Sequence, residues 1–176
     1  MSGCLNQISL VKKNEGWKIA KRLLQHERNM VAGMGSRGKS KNPKFAMENQ
    51  AKIYLGDIDN KIADAKVREK ITQHKMDSQA FSLTLKRTAQ EAQTNSNPSP
   101  ASSMFKYFGT ELNKRRWEIM MDIVGTQGLG WDGEDFSERE LTTTREWLRS
   151  KGNSIEGGTS EVQLNIVGKR VLKLPD

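Results

Sequence analysis

Cysteine is almost absent from this chain: Cys4 is the only one among 176 residues. No internal disulfide can form, which excludes a disulfide-stapled secreted scaffold and makes a cytoplasmic setting the default. Histidine is nearly as scarce. His26 and His74 lie far apart in sequence, both are read as surface residues, and no metal-ligand cluster accompanies them. No apolar run approaches the ~20 residues that cross a bilayer. The N-terminus, MSGCLNQISLVKK, lacks the apolar core and cleavage pattern of a signal peptide. Strand-like alternation is missing throughout, as is any internal repeat, so no sheet is expected.

What remains is a charged, modestly hydrophobic chain with a net charge of +8. Its basic residues are spread along the sequence, with one cluster at Arg37, Lys39, Lys41 and Lys44. Aromatics are not interleaved with them in the manner of single-strand binders. The charge is therefore read as a solvated surface, with a field that favours a phosphate-rich ligand. No nucleic-acid partner and no membrane partner are expected.

At this length the chain is one domain able to bury a real core. Residues 1–14 read as an N-terminal arm, and residues 15–176 as a helical bundle. From Gly16 to about Met34, Trp17, Ala20, Leu23, Leu24, Met30, Val31 and Met34 share one face. Glu27 falls near that face. Phe45 to Gly56 suits a short helix and Lys61 to Gln93 a long one, with Ile62, Ala65, Ile71, Phe81, Leu85 and Ala89 inward. The loop TNSNPSPASS, from Thr94 to Ser103, precedes a helix to Val124 with Phe105, Phe108, Leu112, Ile119 and Ile123 on one stripe. Gly125 to Glu134 is a glycine-rich loop. Ser137, with Glu140 three residues on, marks a capping box at the start of the next helix. Long helices joined by short loops predict an all-α, up-and-down helical bundle.

The most informative stretch runs from Asn153 to Leu172, NSIEGGTSEVQLNIVGKRVL. Gly157 and Gly158 allow a sharp turn. Thr159 and Ser160 suit an N-cap, and Glu161 puts a carboxylate in the first helical turn. Such a helix start can hold an oxygen-rich ligand; on the residues alone, an ordinary capped helix is the favoured reading, since caps far outnumber ligand sites.

Four runs together resemble the C-terminal domain of the acyl-CoA dehydrogenase family. They are Gly16-Trp17 with His26-Glu27-Arg28; the helix pair around Pro98 and Pro100 with Lys106 and Glu111; Asp122-Ile123-Val124-Gly125-Thr126-Gln127-Gly128; and Gly157-Gly158-Thr159-Ser160-Glu161-Val162-Gln163 with Arg170-Val171-Leu172. They span about residues 15–174. The family's N-terminal helical domain and middle β-domain have no counterpart here, so the chain looks like a C-terminal domain standing alone. It is expected to be inactive by itself, because one wall of the flavin pocket would be missing.

The resemblance implies an FAD-dependent flavoenzyme of fatty acid metabolism. It would take acyl-CoA as substrate and electron-transfer flavoprotein as acceptor, and would act as a homo- or hetero-oligomer. A carboxylate removes the α-proton while the β-hydride passes to the flavin. Many members place that base at the position of Gly157, which has no side chain here. Others place it before an arginine on the domain's first helix, which points to Glu27 followed by Arg28. Glu156, one residue out of register, ranks second. The backbone N–H of Gly157 would stabilise the thioester carbonyl oxygen. Thr159 and Glu161 would lie near the flavin, and Asp122, Gly125 and Thr126 would approach the FAD diphosphate of a neighbouring subunit. Asp122 departs from the family's usual glutamine. The alternative is a non-catalytic helical oligomerisation module. On residues alone, a solvated helix glutamate paired one turn away is the favoured reading of Glu27, and the loop after Gly125 is equally an ordinary helix C-cap.

Overall fold

The structure, a computed structural model, describes residues 15–24, 46–94 and 101–175. Its described residues form six α-helices: α1 over residues 16–24, α2 Met47–Leu55, α3 Ala65–Thr94, α4 Ala101–Val124, α5 Glu138–Lys151 and α6 Ser160–Ile166. The all-α bundle is as expected.

The strand-free expectation fails at one place. Asp57–Ile58 and Lys61–Ile62, here β1 and β2, pair antiparallel with Asp57 opposite Ile62. Asp59 and Asn60 carry the turn at φ 50° and 61°. Two successive positive φ values make the tight turn that matches hairpin twist, and Asp and Asn are the side chains that best tolerate them. Two-residue strands are too short to leave an alternating pattern. The hairpin also moves the start of α3 from Lys61 to Ala65, where Asp64 Oδ1 accepts from Val67 N at 2.9 Å.

Helix α4 is the axis of the bundle and packs against α2, α3, α5 and α6. Its pairing with α3 is antiparallel, because partners on α4 rise as those on α3 fall. Lys70 meets Asp122, Asp77 meets Arg115, and Phe81 meets Phe105 and Phe108.

One core cluster joins Met47 and Ala51 of α2, Ile62, Val67 and Ile71, and Ile119, Met120 and Ile123 of α4. A second joins Phe81, Phe105 and Leu112, with the Phe81 and Phe105 rings edge to face at 6.1 Å. Burying each large side chain of this kind contributes roughly 1.5–3 kcal/mol.

Several expected inward positions are exposed: Ala65 and Ala89 on α3, Phe108 on α4, and Trp17, Leu23 and Leu24 on α1. Periodicity identifies an apolar face without saying what covers it. His74 departs the other way. Expected at the surface, it is 7% exposed. Burial lowers its pKa to about 4, and the nearby Arg115 and Arg116 charges push the same way.

Helix α5 opens as read. Glu140 N donates to Ser137 Oγ at 3.3 Å, and Ser137 N donates back to Glu140 Oε2 at 2.7 Å. Tyr54 Oη donates to the other oxygen, Oε1, at 2.6 Å, so this cap also ties α2 to α5.

Candidate functional site

After α5 the chain tightens into a 3-10 turn, Gly152–Ser154, and then bends through Gly157 and Gly158 at φ 67° and 94°. Both values lie in the left-handed region that favours glycine. At Gly158 the spacing is equally strict, since an added β-carbon would stand 2.6 Å from Gln163 Nε2. Thr159 then caps α6, its hydroxyl oxygen accepting from Val162 N at 3.3 Å. The capped helix start expected from the sequence is present, but α6 is short. It ends at Ile166, and a wider π turn, Val167–Val171, takes over.

Three helices hold this bend. From α6, Gln163, with no exposed surface, donates to Gly157 O at 2.9 Å. From α5, Arg149 pairs with Glu156 Oε1 at 2.6 Å. From α4, Lys106 Nζ donates to Asn153 O at 3.1 Å, Asn113 Nδ2 to Asn153 Oδ1 at 2.9 Å, and Lys114 Nζ to Ser154 Oγ at 2.9 Å. Asn153 in turn donates through Nδ2 to Glu156 Oε2 at 3.0 Å. Gly157 is buried.

The electrostatics follow from these contacts. Burial pushes the Lys106 ammonium below the ordinary lysine range. The Glu161 carboxyl is held below the carboxylate range by its own backbone N–H, then by the Thr159 hydroxyl. Ser160 Oγ is shielded from solvent and has no hydrogen-bond partner. Beside Lys114, an open groove of about 400 Å³ runs along Tyr107, Glu111, Arg115 and Glu118.

The structure gathers Gly157, Thr159 and Glu161 in this one turn. Glu27 and Arg28 lie outside the described residues. Asp122, Gly125 and Thr126 form a second group at the far end of α4. Asp122 stands about two helical turns, ~12 Å, beyond Lys114. There Asp122 Oδ2 accepts from Lys70 Nζ at 2.7 Å, Gly125 ends α4 at φ 57°, and Thr126 is exposed.

Sequence reasoning missed Asn153 and Gln163 as anchors, and gave Lys106 no task. Lys106 and Thr110 have no exposed surface, because α4 is covered on more than its apolar stripe. A polar residue one position from Phe105 carries no periodic signal that would betray this. Among the described residues, no group of three His, Cys, Asp or Glu side chains is placed to hold a metal ion. No described helix is long and apolar enough to cross a membrane.

The family model "Acyl-CoA dehydrogenase, C-terminal domain" matches residues 14–172. Acyl-CoA dehydrogenase IpdE1 of Mycolicibacterium smegmatis is 28% identical over 164 residues, 92% of this chain and 37% of that protein. Acyl-CoA dehydrogenase FadE34 of Mycobacterium tuberculosis is 27% identical over 162 residues, 92% of this chain and 20% of that protein. The chain thus spans well under half the length of these curated relatives. Among solved structures, a Tcur3481–Tcur3483 steroid ACAD variant shares the fold at a TM-score of 0.72 and 21% identity, over 94% of this chain and 42% of that one. The ChsE4–ChsE5 complex from Mycobacterium tuberculosis does so at 0.63 and 24%, with the same coverage. With the match running through every described helix and the glycine bend, this chain belongs to the acyl-CoA dehydrogenase family, of which it carries the C-terminal domain.

Proposed function

We propose that this chain supplies the C-terminal domain of an FAD-dependent enzyme that desaturates an acyl-CoA thioester between its α and β carbons. The observation that carries the reading is the bend at Gly157 and Gly158. It is buried, held from three helices, and coincides with the terminal signature by which the sequence resembles the family. The shielded, unpartnered Ser160 hydroxyl beside it fits a polar group of a ligand. FAD bound there would supply the acceptor for the β-hydride.

The chain's own residues would do the rest. The Gly157 N–H would donate to the thioester carbonyl as negative charge grows on its oxygen. Thr159 and Glu161 would border the flavin. Glu27, oriented by Arg28, would take the α-proton. Glu156 suits that task poorly, since Arg149 holds one of its carboxylate oxygens and Asn153 the other. Asp122, Gly125 and Thr126 would meet the FAD diphosphate across a subunit boundary, with Lys70 offsetting the Asp122 charge.

Two of the structural relatives support two finer points. One is called a steroid ACAD and another a complex of two different proteins. Both suit a bulky, steroid-derived acyl group and a second polypeptide that supplies the remaining domains. Electrons would leave to electron-transfer flavoprotein.

The test is complementation. The chain is purified alone and with a polypeptide carrying the N-terminal and β-domains, and flavin content and acyl-CoA-dependent dye reduction are measured. The chain alone is expected to be colourless and inactive, and the pair yellow and active. Glu27→Gln in the pair should reduce turnover on the order of a hundredfold or more. Undiminished turnover would overturn the base assignment, and a yellow, active chain on its own would overturn the need for a partner.

A second reading, a non-catalytic module for subunit contact, draws on exposed Ile155, Leu164, Leu172 and Leu174 around the same bend. A dimer that forms without FAD, together with an inactive pair, would favour it.

A further inference from the structure

We propose that Lys106 is a positioning residue for the glycine bend: its buried ammonium, fixed on the carbonyl of Asn153, sets the place of the Gly157 backbone. Its consequence for catalysis rests on the function proposed above; the mechanical part stands on the contacts alone.

Lysine is among the side chains least often fully buried, because removing its charge from water is costly. Lys106 has no exposed surface and directs Nζ at a main-chain oxygen 3.1 Å away. That oxygen belongs to Asn153, itself 3% exposed and the hub of the bend. The Asn153 side chain takes a bond from Asn113 of α4 and gives one to Glu156, the residue before Gly157. On the other side, Gln163 holds the Gly157 carbonyl. Gly157 is therefore clamped between α4, through Lys106 and Asn153, and α6, through Gln163.

The charges facing Lys106 come from α4, the turn and α6. Glu111 and Lys114 lie on α4, Glu156 in the turn and Glu161 on α6. The three carboxylates favour the ammonium, while burial and Lys114 oppose it. Burial outweighs them, so Lys106 gives up its proton more readily than a surface lysine. The bend should then loosen at alkaline pH, as a charge-assisted bond becomes a weaker neutral one.

The experiment uses the full chain and Lys106→Met, a change that keeps an unbranched side chain one atom shorter and removes the charge. Amide hydrogen exchange is followed at residues 153–158 and, as reference, in α3. Exchange in the bend is expected to quicken at least tenfold while α3 is unchanged. The thermal midpoint should fall only modestly, since the buried Asn153 carbonyl loses its donor while the rest of the fold is untouched. A lysine that only supports the fold would lower the midpoint steeply and quicken both regions together, and that result overturns the proposal. So does unchanged exchange in the bend.

Should Lys106→Met not fold, the wild-type chain still decides the matter. The Asn153 carbonyl carbon shift, followed by NMR with rising pH, should step below pH 10.5, the ordinary lysine value. A flat trace overturns the proposal. None of these readings involves flavin. If the clamp is found but the complemented pair binds no FAD, the functional reading fails and the clamp stands. If the pair is active but the bend ignores Lys106, the reverse holds.

Discussion

Gln163 Nε2 lies 2.9 Å from the carbonyl oxygen of Gly157, in the space that a β-carbon on Gly158 would invade at 2.6 Å. One bond therefore depends on the absence of one side chain. Gly158→Ala must either expel the amide of Gln163 or shift the backbone, and alanine is also strained at φ 94°. A cost of about 1–3 kcal/mol is expected, read as a fall in the urea midpoint. Gly152→Ala is the control. Gly152 is helical at φ −60°, and its nearest obstacle is the far end of the Arg149 side chain at 3.2 Å. It should cost about 0.5 kcal/mol or less. Equal losses at the two sites would show that the bend has no special demand for glycine.

His74 makes stability fall with acidity. Its folded pKa is lowered to about 4, against an ordinary value of 6.5. Between those values the unfolded chain binds a proton that the folded chain refuses. Its contribution is complete above pH 6.5, is lost progressively as pH falls toward 4, and changes no further below that. The loss is on the order of 3 kcal/mol. Urea titrations at pH 7 and pH 4.5 check this. His74→Leu should remove that part of the difference, whereas a variant with the full wild-type pH dependence would assign it to the carboxylates.

The cap of α5 makes a separate prediction. Glu140 serves Ser137 and Tyr54 together. Ser137→Ala should cost about 1 kcal/mol as an orphaned helix donor loses its acceptor. Tyr54→Phe should cost about 1 kcal/mol as the bond from α2 is lost. The Tyr54 bond, ahead of those from Ser137, holds the Glu140 carboxyl below the ordinary range. The stabilisation from Glu140 is thus present above its unfolded pKa and disappears as pH drops through the lower folded value. Denaturant midpoints of the two single variants and the double variant, at pH 7, measure the coupling. Strict additivity would mean that Glu140 does not link the two contacts.

The helices were legible wherever local chemistry announces itself. The Ser137 box and the Thr159 cap depend on residues within one turn, and both are in place. The family resemblance carried by the four runs is matched by the family model over residues 14–172. Tertiary facts were not legible. The hairpin at Asp57–Ile62 is too short to leave a period. His74 and Lys106 are buried because α3 and α4 meet other helices on polar faces, which no single-helix pattern encodes. Trp17, Leu23 and Leu24 form a stripe that reads as core, yet it stands exposed. At the site, the bend and its N-cap were readable from glycines and hydroxyls. The anchors Asn153 and Gln163 were not, since their roles depend on residues as far away as α4.

Asp122 offers the cleanest separation of stability from cofactor affinity. Its carboxylate pairs with Lys70 at 2.7 Å, but both side chains are about half exposed, so the pair should matter little to the fold. Asp122→Gln is expected to leave the urea midpoint within about 0.5 kcal/mol of wild type. Under the proposed function it would also remove a negative charge from beside the FAD diphosphate and leave Lys70 unopposed. In the complemented enzyme FAD should bind several-fold tighter, and Lys70→Ala should weaken it by a similar factor. Both effects should shrink in high salt, as contacts between exposed charges do. Fluorescence titration of FAD at two ionic strengths decides it. If neither variant alters affinity at low salt, the end of α4 does not meet the diphosphate, and the flavin site must be built from the glycine bend without it.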